Sequence, residues 1–174
     1  ANRILSGIAA FIVEFFRTTP PLVQLFWFFF ALPILINVNM TPTMAAVVTF
    51  SIQSSAFFAE IFRGGIQSID KGQWEGADSL GIPRWKTFQK IILPQALIVA
   101  LRPYGNEIIL MIKGSAIVAI VTVFDLMGET RRAYSRTFDF QTYIWAAVLY
   151  LIVVEALRNI WHVLEQRLTR HLKR

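Results

Sequence analysis

From Thr18 to Ala59 the chain carries no charged side chain. About 20 apolar residues cross the roughly 30 Å hydrocarbon core of a bilayer, so this stretch has room for two crossings and a turn. The turn falls in "NVNMTP" at 37–42, where two Asn and a Pro interrupt the apolar character. Composition agrees: 55% of residues are hydrophobic and 16% charged, against about 25% charged in soluble domains. The expected fold class is all-α, a polytopic membrane helical bundle in a single domain over 1–174.

Four spans are expected, at about 20–37, 42–62, 95–122 and 140–164. Pro20 and Pro21 suit a first helical turn, where a missing N–H has no partner to lose, and Pro33 is placed to kink the first span. The opening segment 4–16 is short and amphipathic, as expected of an interfacial helix. The chain starts with Ala and lacks the charged, apolar and cleavage regions of a signal peptide, so the start reads as interior to a longer chain. Arg63, Lys71, Arg84, Lys86 and Lys90 lie in the 63–94 connection, and Arg167, Arg170, Lys173 and Arg174 in the tail. The 37–42 turn has no charge, and the 125–139 loop, with three Arg, weakens the asymmetry without reversing it. Basic loops mark the cytoplasmic side, which puts the 63–94 connection and the C-terminus there. The net charge of +6 is then a mark of topology, with no basic face for nucleic acid.

The 63–94 connection is far longer than a turn. "GQWEGADSL" at 72–80 is compatible with a helix, Gly81 suits the left-handed residue that ends one, and Pro83 follows. "RWKTFQKII" at 84–92 restarts with Trp85, Phe88, Ile91 and Ile92 on one face, and Pro94 stops it and can occupy the first turn of the next helix. Two readings of this bent pair are open on periodicity alone: an interfacial connector, or a rigid protrusion.

A spacing within it is more specific. Glu75, Ala77, Gly81, Ile91, Leu93 and Pro94 stand as E-x-A-x3-G-x9-I-x-L-P. This resembles the EAA loop of the membrane subunits of binding-protein-dependent ABC importers. "FRTTPPLVQLF" at 16–26 is similar to that family's F-R-G-T-P-L-L-V-Q-L-F, and "SSAFFAEIFRGGIQSIDKGQWEGADSLG" at 54–81 to its N-S-A-Y-x-A-E-I-F-R-G-G-I block. "LPQAL" at 93–97, "RPYGNEIILMIKGSAIVAI" at 102–120 and "LEQRL" at 164–168 extend the likeness, which runs from about residue 15 to the end and resembles the polar amino-acid subgroup. The departures are Thr18 for Gly, Pro21 for Leu, Phe57 and Phe58 for a pair usually including Tyr, Gly114 for a frequent Asp, and an added Arg102. Gly76 replaces the second residue of E-A-A, at about 1 kcal/mol of helix propensity. The family's first span is not among these residues, in line with the expected start inside a longer chain.

The resemblance implies the type I ABC importer permease fold and a bacterial-type inner-membrane location. It implies two ATP-binding subunits, a second permease subunit forming a homo- or heterodimer, and an extracytoplasmic amino-acid-binding protein. The chain has no G-x4-G-K-[ST] phosphate loop, so no cofactor is expected on it and ATP belongs to a partner. Coupling to that partner would use Gln73, Trp74, Glu75, Ala77, Leu80 and Gly81, with Trp74 and Leu80 packing and small Gly76 and Ala77 admitting a partner groove. Glu75 alone also reads as a carboxylate favoured by a helix start.

Polar residues at membrane depth usually face a bundle interior or a solute path. Gln53 and Ser54 on the second span, and Asn106, Glu107, Lys113 and Ser115 on the third, are the substrate-path candidates. Lys113 and Glu107 could meet the carboxylate and ammonium of an amino acid, or pair with each other structurally. Residues 106 and 107 are offset by about 100°. The two His are both near the C-terminus and read as charge complements to helix ends, not metal ligands. No nucleophile–base or H-E-x-x-H arrangement supports a catalytic residue, and cysteine is absent. The competing functions are an ATP-independent channel and a non-functional permease remnant.

Overall fold

The structure, a computed structural model, describes residues 3–169. Among these residues every regular element is a helix. Helix α1 (Arg3–Thr18) has no buried residue, and the chain then bends by 100° into the rod Pro21–Ile36. Pro20 and Pro21 cause the corner: neither has an N–H to return to the carbonyls of Phe16 and Arg17. The side chain of Gln24 supplies part of what is missing. Buried at the corner, its Nε2 donates to the Phe16 carbonyl at 2.8 Å and the Thr19 carbonyl at 2.9 Å.

The rod comprises α2 (Pro21–Phe26), a π-helical turn (Trp27–Ala31) and α3 (Leu32–Ile36). Its π turn ends just before Pro33, with Leu32 N–H donating to the Trp27 carbonyl five residues back. A widened turn relieves the clash a proline ring otherwise makes with the preceding turn. Asn37, at φ 53°, closes the rod. Thr41 then caps α4 (Pro42–Gln67), its Oγ1 accepting from Met44 N–H at 3.2 Å.

The same proline device recurs in the third span and corrects the expected boundary there. Following α5 (Lys71–Ser79), α6 (Arg84–Thr87) passes through a π turn (Phe88–Ile92) into α7 (Leu93–Gly114). Pro94 therefore does not stop a separate helix. The Leu93 N–H reaches back to the Phe88 carbonyl, and the rod continues from Arg84 to Val121 over 38 residues, its last turns tightened into a 3₁₀ helix (Ser115–Val121). Of the expected apolar face, Ile92 is fully buried while Trp85 is exposed.

A second correction concerns the 125–139 segment, expected as a loop. It forms α8 (Leu126–Thr137), capped by Asp125, whose Oδ1 accepts from Gly128 N–H at 2.8 Å. Arg131 of this helix donates to the Ala119 carbonyl at 3.0 Å, complementing the negative end of the 3₁₀ segment. Helix α9 (Gln141–Leu168) completes the described chain; His171, Arg170, Lys173 and Arg174 lie outside it.

Among the described residues three helices are long and apolar enough to cross a membrane: Pro42–Gln67, Arg84–Val121 and Gln141–Leu168. The bent pair α1 and Pro21–Ile36 makes a fourth if it counts as one broken span. Glycines stand where the spans approach most closely, as membrane helices without a hydrophobic driving force favour. A Cβ added to Gly65 on α4 would lie 2.8 Å from the Ala96 carbonyl on α7, and one on Gly105 would fall within the Trp161 indole of α9. Tyr104 stacks between Phe58, at 4.4 Å, and Trp161, at 5.8 Å, joining α4, α7 and α9. A separate cluster buries Leu25 and Phe28 against Ala45, Ala46, Val118 and Val121. Large apolar side chains elsewhere, such as Phe11, Ile34, Trp145 and Leu151, face outward, as lipid contact demands.

Candidate functional site

Two features stand apart from this packing: the arm between α4 and the long rod, and a polar cavity along the α4–α7 groove. Asp70 starts the arm by accepting from Gly72 N–H at 2.6 Å. The end of α5 is a Schellman closure: Gly81 N–H donates to the Asp78 carbonyl and Ile82 N–H to the Ala77 carbonyl, both at 3.0 Å. Gly81 sits at φ 69°, in the left-handed region glycine enters without penalty.

One side of α5 rests on its own chain. Ala77 is buried, Trp74 is half-buried, and Gln73 Oε1 lies 3.4 Å from Gln95 Nε2 of α7. Asp78 pairs with Arg84 across the bend at 3.9 Å. The other side is open: Glu75 and Gly76 are exposed, and Leu80 is 79% exposed. A Cβ on Gly76 would meet nothing within 4 Å. Leu80 points outward, and Ala77 is the residue that lets α5 lie close to the rod.

Within the candidate spans, Gln53, Ser54 and Glu107 line one cavity of about 290 Å³ together with Arg17, Phe50 and Phe57. Gln53 and Ser54 are buried, and Ser54 Oγ lies 2.9 Å from Met111 Sδ. The other three sequence candidates are elsewhere. Asn106 is exposed, on a different face from Glu107. Lys113 lines a separate cavity of about 390 Å³ with Met127 and Tyr150. Ser115 turns its hydroxyl to the Ile112 carbonyl at 2.9 Å.

The cation beside Glu107 is therefore Arg17 of the FRTTPPLVQLF motif, a residue outside the expected solute path. The signal available was its position, the last charge before the uncharged run. Its Nη1 lies 3.3 Å from Glu14 and 3.9 Å from Glu60. Its guanidinium stands 5.5 Å from the Phe57 ring centroid, and its buried Nε has no hydrogen-bond partner. A fixed cation with a spare donor next to a carboxylate and a buried amide can bind a small zwitterion at both ends.

The pattern of the family described as "Binding-protein-dependent transport system inner membrane component" matches residues 1–171. The chain belongs to this family. Among its relatives, the probable amino-acid ABC transporter permease protein YckA of Bacillus subtilis is 36% identical over 170 residues, 97% of this chain and 75% of that one. The putative glutamine transport system permease protein GlnP of Rickettsia bellii is 39% identical, over 96% of this chain and 77% of its own length. The L-cystine transport system permease protein TcyB of B. subtilis is 36% identical, over 98% and 73%. Among solved structures, one described as an amino acid ABC transporter with histidines superposes with a TM-score of 0.91 at 34% identity, over 96% of this chain and 78% of that one. The MetNI methionine transporter, at 21% identity and a TM-score of 0.79, shares the fold. The fold class expected from the sequence, a helical membrane bundle of the type I ABC importer permease kind, is the one observed.

Proposed function

We propose that this chain is the permease subunit of an ATP-driven importer of polar amino acids, working by alternating access in a bacterial inner membrane. Two ATP-binding subunits, a second permease subunit and an extracytoplasmic binding protein complete the transporter. The arm 71–83 and the C-terminus face the cytoplasm. The observation that carries this reading is mechanical. The arm is closed by a Schellman turn, rests on the rod through buried Ala77, and leads at Arg84 into a 38-residue rod. A push on its exposed Glu75–Gly76–Leu80 side therefore turns the whole third span. That span carries Glu107, and Arg17 stands across the same cavity, so reorienting the rod changes which side of the membrane the cavity faces. Arg17 takes the solute's carboxylate, while Glu107 and Gln53 take its ammonium.

The test is reconstitution with the ATP-binding subunits and binding protein in proteoliposomes. Gly81→Pro cannot adopt positive φ and should abolish uptake while nucleotide still binds the partner. Glu75→Ala should weaken solute-stimulated ATP hydrolysis. Both variants behaving as wild type would exclude the arm as the coupling element, and uptake without ATP would favour a channel.

A further inference from the structure

A second cavity lies in the same α4–α7 groove, nearer the arm. It measures about 300 Å³ and is lined by Glu60, Gly64 and Gly65 of α4 and by Val99, Ala100 and Pro103 of α7. Two residues belong to both cavities, Arg17 and Phe57. Their cation–π contact is the divide between them. Both volumes are at the lower end of the roughly 300–1,000 Å³ of small-molecule sites.

We infer that the arm-side cavity is a second station for the transported solute, an α-amino acid, and that Arg17 holds the solute's carboxylate on both sides of Phe57. This rests on the amino-acid import reading. Four observations build the station. Arg17 keeps an unpartnered buried Nε and already spans toward Glu60 at 3.9 Å. Glu60 offers an acceptor for an ammonium, though it shares its charge with Arg63 in an ion pair. Pro103 has no N–H to return to the Val99 carbonyl, which leaves a further acceptor at the cavity wall.

The adjacent glycines, finally, do different things. Gly65 is needed for α4 to approach α7, whereas an added Cβ on Gly64 meets nothing within 4 Å. Gly64 thus leaves empty the volume a solute side chain would fill. The arrangement has a physical advantage. A carboxylate crossing the divide never loses its cation, so it escapes the cost of an unpaired charge in a medium of low dielectric.

The chain has no cysteine, so Val99→Cys and Leu110→Cys report singly on the arm-side and far cavities. In the intact, nucleotide-free transporter with its partner subunits, labelling by a small anionic thiosulfonate is measured. It is repeated with a pool of L-amino acids and with the same pool as α-carboxamides. The free acids, and not the amides, should slow labelling at Val99→Cys at least about tenfold, since the unoccupied form is then a minor state of roughly 10% or less. Gly64→Leu should abolish uptake while the acids still protect Leu110→Cys. Phe57→Leu and Phe57→Ala, made in parallel in case one misfolds, should raise labelling of Leu110→Cys from the arm side. Uptake of the pool with no protection at Val99→Cys, or equal protection by the amides, overturns the second station alone. No uptake and no protection at either position overturns the amino-acid reading with it.

Discussion

Gln24 answers a problem created four residues earlier. Pro20 leaves the Phe16 carbonyl without its helical donor, and one amide nitrogen serves that carbonyl and the Thr19 carbonyl together. Gln24→Leu keeps the bulk and removes the donor. It should destabilise the chain by about 1–3 kcal/mol, the cost of buried acceptors left unpaired, read as a lower unfolding midpoint in detergent. Gly105 is the sharper residue-level constraint. Gly105→Ala places a methyl where the Trp161 indole lies, and overpacking of that kind costs about 1–3 kcal/mol. Adding Trp161→Leu should recover part of the loss, a non-additivity expected of residues in contact. By contrast Arg102 is 82% exposed in its pair with Glu165, and an ion pair whose cation stands in solvent adds little to stability. Arg102→Ala should therefore leave the midpoint almost unmoved.

Among the elements, the arm and the long rod act as one piece because of how each helix is ended or continued. Gly81 allows α5 to stop within a single residue, and the π turn 88–92 allows the rod to run through Pro94. Removing the first device and removing the second should have different effects. Gly81→Ala forces a Cβ into left-handed geometry, at about 1–2 kcal/mol, and should loosen the arm, measured as faster amide exchange over 71–83. Pro94→Ala restores a missing N–H and should relax the π turn to ordinary α geometry. That would rotate the arm about the rod and impair coupling without lowering stability. Equal thermal midpoints with reduced solute-stimulated ATP hydrolysis would be the signature.

For the whole molecule, the axis is set by α4 and the Arg84–Val121 rod lying against each other, with the arm at one end and the 37–41 turn beyond the other. The cysteine-free background makes sidedness measurable. Gly76→Cys should react with an impermeant thiol reagent only from the cytoplasmic face, and Asn39→Cys only from the outer face. Labelling of both from the same face would contradict the span count between them. The outward apolar face of α9, whose buried residues reduce to Ala146, belongs to the same picture of a chain solvated by lipid.

The helical class, the broad location of the long apolar helices, the closure at Gly81 and the family were all legible in the residues, because each depends on local chemistry. Hydrocarbon excludes charge over runs of about 20 residues, only glycine enters positive φ freely, and a motif is a spacing along the chain. What the tertiary structure alone decided is which residues meet. Pro94 reads locally as a stop, yet the rod passes through it once a π turn can form. Residues 126–137 are too polar to signal a span, so their helix is seen only when Asp125 caps it. Lys113 looked like the cation for Glu107 because it is close in sequence, but α7 turns it toward α8 and α9. Arg17 is distant along the chain and takes that place because the Pro20–Pro21 corner folds the end of α1 against α4. Proximity across helices depends on the direction each side chain points and on the angle at each break, and neither quantity is written in a linear spacing.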